Sequence, residues 1–217
     1  MRMKCAVIAV CGPLMLGCAS GRAPKSGLGA SSGATETPLA SMAGRQVIVL
    51  PVQRNISFPD STWQQQLPLT FPFVAALDDS IASALGSRGL GASWTFARAI
   101  SAAAQRNTGL LPDPHALAVA GLRRLVKAGD DPLSEPLASQ VRSLVSMTDA
   151  RYAVLPATLA LESAPSGARA SLNVYLIDAR TARIQWSGAV TSEVAASLSA
   201  AMAGSIAQRL ADLVVAR

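Results

Sequence analysis

The run QVIVLPV at residues 46–52 opens the folded part of this 217-residue chain. It is continuous, apolar and rich in β-branched residues, which is typical of a strand buried on both faces of a sheet. Residues 53–72 contain three prolines and no sustained period, which predicts a loop. An amphipathic helix over 73–85 follows, because apolar residues recur there every four positions.

Further along, the hydrophobic period predicts more helices and then changes to that of strands. The predicted helices cover 94–107, 114–128, 135–147 and 195–215, and the predicted strands cover 152–161, 171–178 and 183–190. This order predicts an α/β fold with an about four-stranded mixed sheet and helices packed on it. The sheet would consist of one N-terminal strand plus an antiparallel three-strand meander.

The N-terminus reads as an export signal. Arg2 and Lys4 form a short positive head, and an apolar run follows to Leu16. A membrane-spanning helix needs about 20 apolar residues, and this run is shorter and interrupted by a Gly-Pro pair. The ending Leu16-Gly17-Cys18 resembles the bacterial lipobox, in which the cysteine is lipidated and becomes the new N-terminus. The sequence therefore predicts a lipoprotein signal peptide at 1–17.

Lipidation at Cys18, with palmitate among the acyl chains, would attach the chain stably to a membrane. Residues 18–45 are rich in Ser, Gly, Ala and Thr, which predicts a flexible tether to a single periplasmic α/β domain at 46–217. Ala19 and Ser20 lack the acidic signal that retains lipoproteins at the inner membrane. The predicted location is the outer membrane, facing the periplasm.

Charge and cysteine usage exclude several functions. The net charge is +6, but the basic residues are scattered and no aromatic series interleaves with them, so nucleic-acid binding is not expected. All three cysteines lie within the first 18 residues, so the folded part can form no disulfide. A single histidine, His115, predicts no zinc site, and neither a metal nor another cofactor is expected.

The sequence also gives little support for an enzyme. Gly-x-Ser-x-Gly is absent, and the glycines at 86–91 lack the Lys-Ser/Thr of a phosphate loop. His115 falls in the first turn of a predicted helix, where a solvated or capping role is favoured. We therefore expect a protein that is not an enzyme, with a hydrolase of unrecognised site as an alternative.

Three segments together resemble a known periplasmic domain. They are residues 47–52, residues 150–155 (ARYAVL), and the Asp-turn-strand-Trp hairpin at 176–186. The domain is the one shared by the TolB N-terminal region, the curli-secretion lipoprotein CsgG and the penicillin-binding-protein activator LpoB. The similarity covers about residues 46–215 and departs from the group in the insert at 90–129. It implies a non-catalytic lipoprotein that binds another envelope component, without the pore-lining segments of CsgG.

Aromatic residues in or beside the 53–72 loop are the candidate contacts for that unidentified envelope protein. Trp63, Phe58 and Phe71 would serve as interface anchors if exposed, or would cover the sheet if buried. The leading hypothesis is a binding or assembly factor for a periplasmic or outer-membrane partner. The structural alternative is a homo-oligomer, in which the chain is a self-associating subunit of an envelope assembly.

Overall fold

The fold is known from a computed structural model, which describes residues 37–124 and 131–216. The predicted signal peptide and Cys18 lie outside the described residues, as does the end of the helix predicted at 114–128. The packed part of the chain starts before residue 46, because Leu39 and Met42 are already buried.

Within the described residues the sheet is mixed and has seven strands, more than the about four predicted. They are β1 (Val47–Val49), β2 (Ile56–Ser57), β3 (Trp94–Thr95), β4 (Asp131–Pro132), β5 (Tyr152–Ala164), β6 (Gly167–Asp178) and β7 (Arg183–Thr191). The spatial order is β3-β1-β5-β6-β7-β4, and β2 also pairs with β5. β2, β3 and β4 have two residues each, which is too short to produce a hydrophobic period.

The predicted division of the sheet is confirmed. β1 runs parallel to both β3 and β5, with Val47 opposite Tyr152. β5, β6 and β7 form the antiparallel meander. Beyond β1 the chain continues along β5, because the backbone N–H of Gln53 donates to the carbonyl of Pro156 at 3.0 Å.

In the part of the chain that the structure describes, five α-helices accompany the sheet: α1 (Ser61–Gln64), α2 (Thr70–Gly86), α3 (Ala97–Arg106), α4 (Leu137–Val145) and α5 (Ala200–Asp212). α2 to α5 correspond to predicted helices, whereas α1 lies in the predicted loop. The helix predicted at 114–128 is wrong over its described part, which consists of turns and the 3-10 helix Val119–Arg124. The side chain of Gln53 holds this segment in its turns by hydrogen bonds to Pro114 and Leu117.

Successive side chains of β1 and the residue after it point alternately into two hydrophobic cores, one on each face of the sheet. Val47 and Val49 face α2 and α5, whereas Ile48 and Leu50 face α3 and α4. Both faces of the sheet are therefore covered by helices, as a continuous apolar strand requires. By length and composition the stretch Leu67–Gly86 could cross a membrane, but α2 buries its apolar face in the first core.

Candidate interaction surface

An exposed apolar segment lies just beyond the carboxyl end of β1, where the chain enters α2. Leu67, Leu69 and Phe71 are 55%, 48% and 63% exposed, and we refer to these three residues as the apolar segment. Leu67 and Leu69 belong to a 3-10 turn, and Phe71 lies in the first turn of α2. Phe73, two residues further on, is buried in the core. The helix is therefore fixed by its buried face while the apolar segment stays in solvent.

The three aromatic residues considered from the sequence lie in different environments. Trp63 is buried, and its backbone N–H donates to the carboxylate of Asp60, which caps α1, at 3.0 Å. Phe58 is half-buried against the same core. Only Phe71 is exposed. Leu67 and Leu69 were not predicted as contact residues. The signal that could have identified them is the alternation of apolar residues at 67, 69 and 71 beside Pro68.

Arg54 adjoins the apolar segment and was also missed. Its guanidinium lies over the Phe71 ring, 5.4 Å from the ring centroid, which is within the range of a cation–π contact. On the other side, its Nη1 is 3.6 Å from Oδ2 of Asp113. About half of the Arg54 side chain remains exposed. The sequence offered no signal for this residue, since its neighbours come from distant segments.

Arg54 also lines two adjoining clefts. One, of about 370 Å³, lies between α3 and the turns at 108–115. The other, of about 440 Å³, runs along residues 115–120. His115 lines both clefts, and Ser101 and Thr108 add hydroxyl groups to the first. The surface therefore combines an apolar rim with a polar cleft.

Gln53 explains how the cleft is built. Its side chain is almost fully buried, and its Nε2 donates to the carbonyls of Pro51 and Pro114, both at 2.8 Å. Its Oε1 accepts from the backbone N–H of Leu117 at 2.8 Å. A buried amide satisfied in this way fixes both segments. The cleft wall at 113–117 is thus attached to the segment between β1 and β2 that carries Arg54.

His115 and Ser101 approach each other in the cleft, with 3.2 Å between Nε2 and Oγ. Burial lowers the pKa of His115 below its ordinary value of 6.5, and the charge of Arg54 lowers it further. Asp113 does not orient the imidazole, because its Oδ1 accepts from the backbone N–H of His115 at 2.9 Å. Nδ1 is buried without a hydrogen-bond partner among the described residues. Among the described residues, no carboxylate is hydrogen-bonded to the imidazole in the arrangement of a catalytic triad.

No group of three or more potential metal ligands occurs within residues 37–124 and 131–216. The first cleft is lined by one guanidinium (Arg54), one carboxylate (Asp113) and the imidazole of His115.

Asp78 on α2 supports the same end of β1. Its Oδ1 accepts from the backbone N–H of Val52 at 2.8 Å. Burial raises the pKa of Asp78 to about 7, and this effect outweighs the opposing hydrogen bond from Val52. Asp78 therefore titrates near neutral pH, close to the carboxyl end of β1.

The opposite end of the sheet pairs its charged groups internally. Asp178 is 3% exposed, and its carboxylate accepts from Nε of Arg151 and from the backbone N–H of Arg180, each at 3.0 Å. The hydrogen bond from Arg151 holds the pKa of Asp178 below its ordinary value. Arg45 donates to the hydroxyl of Tyr152 at 3.1 Å. This end is closed by contacts within the chain.

The fold and surface define a mixed α/β domain with a candidate protein-binding end. Neither a family model nor a curated protein matches the chain. Among solved structures, it is similar to the PelC dodecamer from Paraburkholderia phytofirmans, with 14% identity, 79% of this chain and 88% of that chain covered, and a TM-score of 0.40. It is also similar to Escherichia coli LpoB, with 15% identity, 88% and 86% covered, and a TM-score of 0.38.

A third similar structure is lipoprotein GNA1162 from Neisseria meningitidis, with 12% identity, 67% of this chain and 78% of that chain covered, and a TM-score of 0.29. LpoB, which the sequence resembles over residues 46–215, is thus among the solved structures to which the chain is similar. The likeness concerns the fold, and no partner, assembly or activity follows from it at these identities.

Proposed function

We propose that this chain is a lipid-anchored, non-catalytic envelope protein that binds a partner protein through the apolar segment. The observation that carries the proposal is the clustering of exposed apolar residues. Of the four large apolar side chains exposed in the described part of the chain, three lie within residues 67–71. Exposed apolar side chains next to an arginine and a cleft are typical of interface centres.

The position of the tether supports this proposal. Leu39 donates its backbone N–H to Leu213 at the end of α5, and Arg45 contacts Tyr152 at the start of β5. The chain therefore enters the domain at the amino end of β1. Measured along β5 from Tyr152, Arg54 lies about five residues further on, which corresponds to a distance of roughly 15–20 Å from the point of entry. The flexible tether predicted for residues 18–45 would therefore join the domain at the end of β1 away from the apolar segment.

Attachment is tested by labelling cells with radioactive palmitate. The full chain should incorporate the label and remain with outer-membrane vesicles, because a lipidated cysteine carries more than one acyl chain. Cys18→Ser should abolish both the labelling and the retention. Labelling that persists in Cys18→Ser would refute the assigned anchor.

Partner binding is tested by chemical crosslinking in intact envelopes. Leu67→Ser/Leu69→Ser/Phe71→Ser should reduce crosslinked complexes at least tenfold, because truncating interface anchors costs more than about 1.4 kcal/mol in total. The matched control, Arg142→Ala/Ser146→Ala on the exposed face of α4, should leave them unchanged. Equal loss in both variants would argue against the apolar segment, and complexes containing this chain alone would favour self-association.

A further inference from the structure

Arg54 is held in place by the backbone around it and yet stays accessible. The preceding residue, Gln53, is buried and fully hydrogen-bonded, and the backbone N–H of Arg54 donates to the carbonyl of His115 at 3.3 Å. The guanidinium then extends between the Phe71 ring and the mouth of the two clefts. A group arranged in this way loses little conformational freedom on binding.

The carboxylate that now faces Arg54 is a weak partner. Nη1 of Arg54 and Oδ2 of Asp113 are 3.6 Å apart, which is too long for a hydrogen bond, and both side chains are about half exposed. The other oxygen of Asp113 is already engaged by the backbone N–H of His115. Exposed ion pairs of this kind contribute little to stability. A carboxylate placed in the plane of the guanidinium would form two hydrogen bonds and compete effectively.

The contact with Phe71 is compatible with such binding. A cation–π contact uses the face of the guanidinium, whereas carboxylates bind along its edge. The hydroxyl groups of Ser101 and Thr108 add further donors in the cleft beside Arg54. Among the residues that line that cleft, Asp113 alone is acidic, so its carboxylate is the one with which an incoming carboxylate would compete.

We infer that the surface binds an acidic segment of its partner, with a carboxylate on Arg54 and neighbouring bulky apolar side chains on the apolar segment. The inference rests on the proposed function and names the chemistry of the partner. Arg54 supplies specificity and orientation in this account, and the apolar segment supplies most of the buried surface.

A randomised peptide library provides the test. The full lipidated chain is placed in lipid nanodiscs, and bound peptides are sequenced. Peptides selected by the unmodified chain should be enriched in Asp or Glu next to Leu, Phe or Trp. Arg54→Gln should remove the acidic enrichment and keep the apolar one. Arg98→Gln, which alters an exposed arginine on α3, should change neither.

The outcomes separate this inference from the proposed function. Acidic enrichment that persists in Arg54→Gln, or enrichment in Lys or Arg, would overturn the acidic partner while leaving the apolar segment as a binding surface. Apolar enrichment that persists in Leu67→Ser/Leu69→Ser/Phe71→Ser would overturn the surface itself. Selection of no peptide class would overturn both.

Asp113→Asn gives a second readout. Asparagine can still accept from the backbone N–H of His115, but it no longer competes for Arg54. Affinity for a selected acidic peptide should rise about two- to fivefold, which is the range that an exposed ion pair allows. A fall in affinity would contradict the inference. Thermal unfolding of each variant verifies that the domain remains folded.

Discussion

The two ends of the sheet differ in how their charged and apolar groups are satisfied. At the amino end of β1, Asp178 is buried and bound by Arg151 and by backbone N–H groups. At the carboxyl end, the carboxylate of Asp113 is 3.6 Å from the Arg54 guanidinium, which also lies over the exposed ring of Phe71. The charged groups at the amino end are paired within the chain, whereas the carboxyl end exposes the groups that the proposed interaction would use.

The same contrast holds for two carboxyl groups. Asp178 has a lowered pKa because Arg151 favours its charged form. Asp78 has a pKa raised to about 7 because burial favours its neutral form. A rise in pH therefore weakens the contribution of Asp78 to folding stability and strengthens that of Asp178.

The largest expected effect separates the two aromatic residues of the carboxyl end. Trp63→Ala should lower the free energy of unfolding by roughly 3–5 kcal/mol, because it removes a buried ring from the core. Phe71→Ala should change it by less than about 0.5 kcal/mol, because that ring is mostly in solvent. Urea unfolding of both variants measures the difference. Similar losses would mean that Phe71 is a core residue.

The second-largest change in unfolding free energy is expected at the amino end of the sheet. Asp178→Ala should cost about 2–4 kcal/mol, because it leaves the turn N–H groups and Arg151 without their acceptor. Asp149→Ala, which alters an exposed aspartate two residues before Arg151, serves as the control. Urea midpoints that are the same for the two variants would show that the buried carboxylate is not needed.

The pH dependence of the unfolding free energy has a sign that the two pKa shifts determine. Because its pKa rises from 3.8 to about 7 on folding, Asp78 contributes stability that is complete below pH 3.8 and is lost as the pH rises through about 7. Asp178 contributes stability above its ordinary pKa of 3.8, which is lost as the pH falls.

Asp78→Asn should therefore flatten the decline in unfolding free energy between about pH 4 and pH 7, since asparagine still accepts from Val52. Asp79→Asn, the exposed neighbour, should reduce the decline only slightly, because its charge is the smallest of the causes that act on the pKa of Asp78. Denaturant titrations across this range provide the measurement, and an unchanged slope in Asp78→Asn would assign the effect to another group.

The smallest expected effect concerns the open ion pair. Arg54→Gln should alter the free energy of unfolding by less than about 0.5 kcal/mol, because Arg54 and Asp113 are both half exposed and 3.6 Å apart. A loss above about 2 kcal/mol would mean that Arg54 is structural, and the contrast between the two ends would no longer hold.

The sequence predicts the elements that bury a continuous apolar run or a regularly spaced set of apolar side chains. β1, the β5–β7 meander, α2 and α5 belong to this group, because each buries a regular set of side chains. The helix expected at 114–128 was wrong over its described part, 114–124, because the amide of Gln53, distant in sequence, holds that segment in turns. The short strands β2 to β4 exist through pairing with other strands, which leaves no local signal.

The candidate surface was only partly predictable. Phe71 was among the residues proposed, but a single aromatic residue in a loop has no period that tells whether it is buried. Trp63 and Phe71 therefore looked alike in sequence and differ in the structure. Arg54 became visible only when the fold brought it beside Phe71 and Asp113.

Photo-crosslinking in intact envelopes tests the central claim most directly. A benzophenone amino acid is placed at position 71, in the apolar segment, or at position 180, in the exposed turn at the amino end. Position 71 should give an adduct with another envelope protein at several times the yield of position 180. Equal yields at both positions, or an adduct from position 180 alone, would contradict the account.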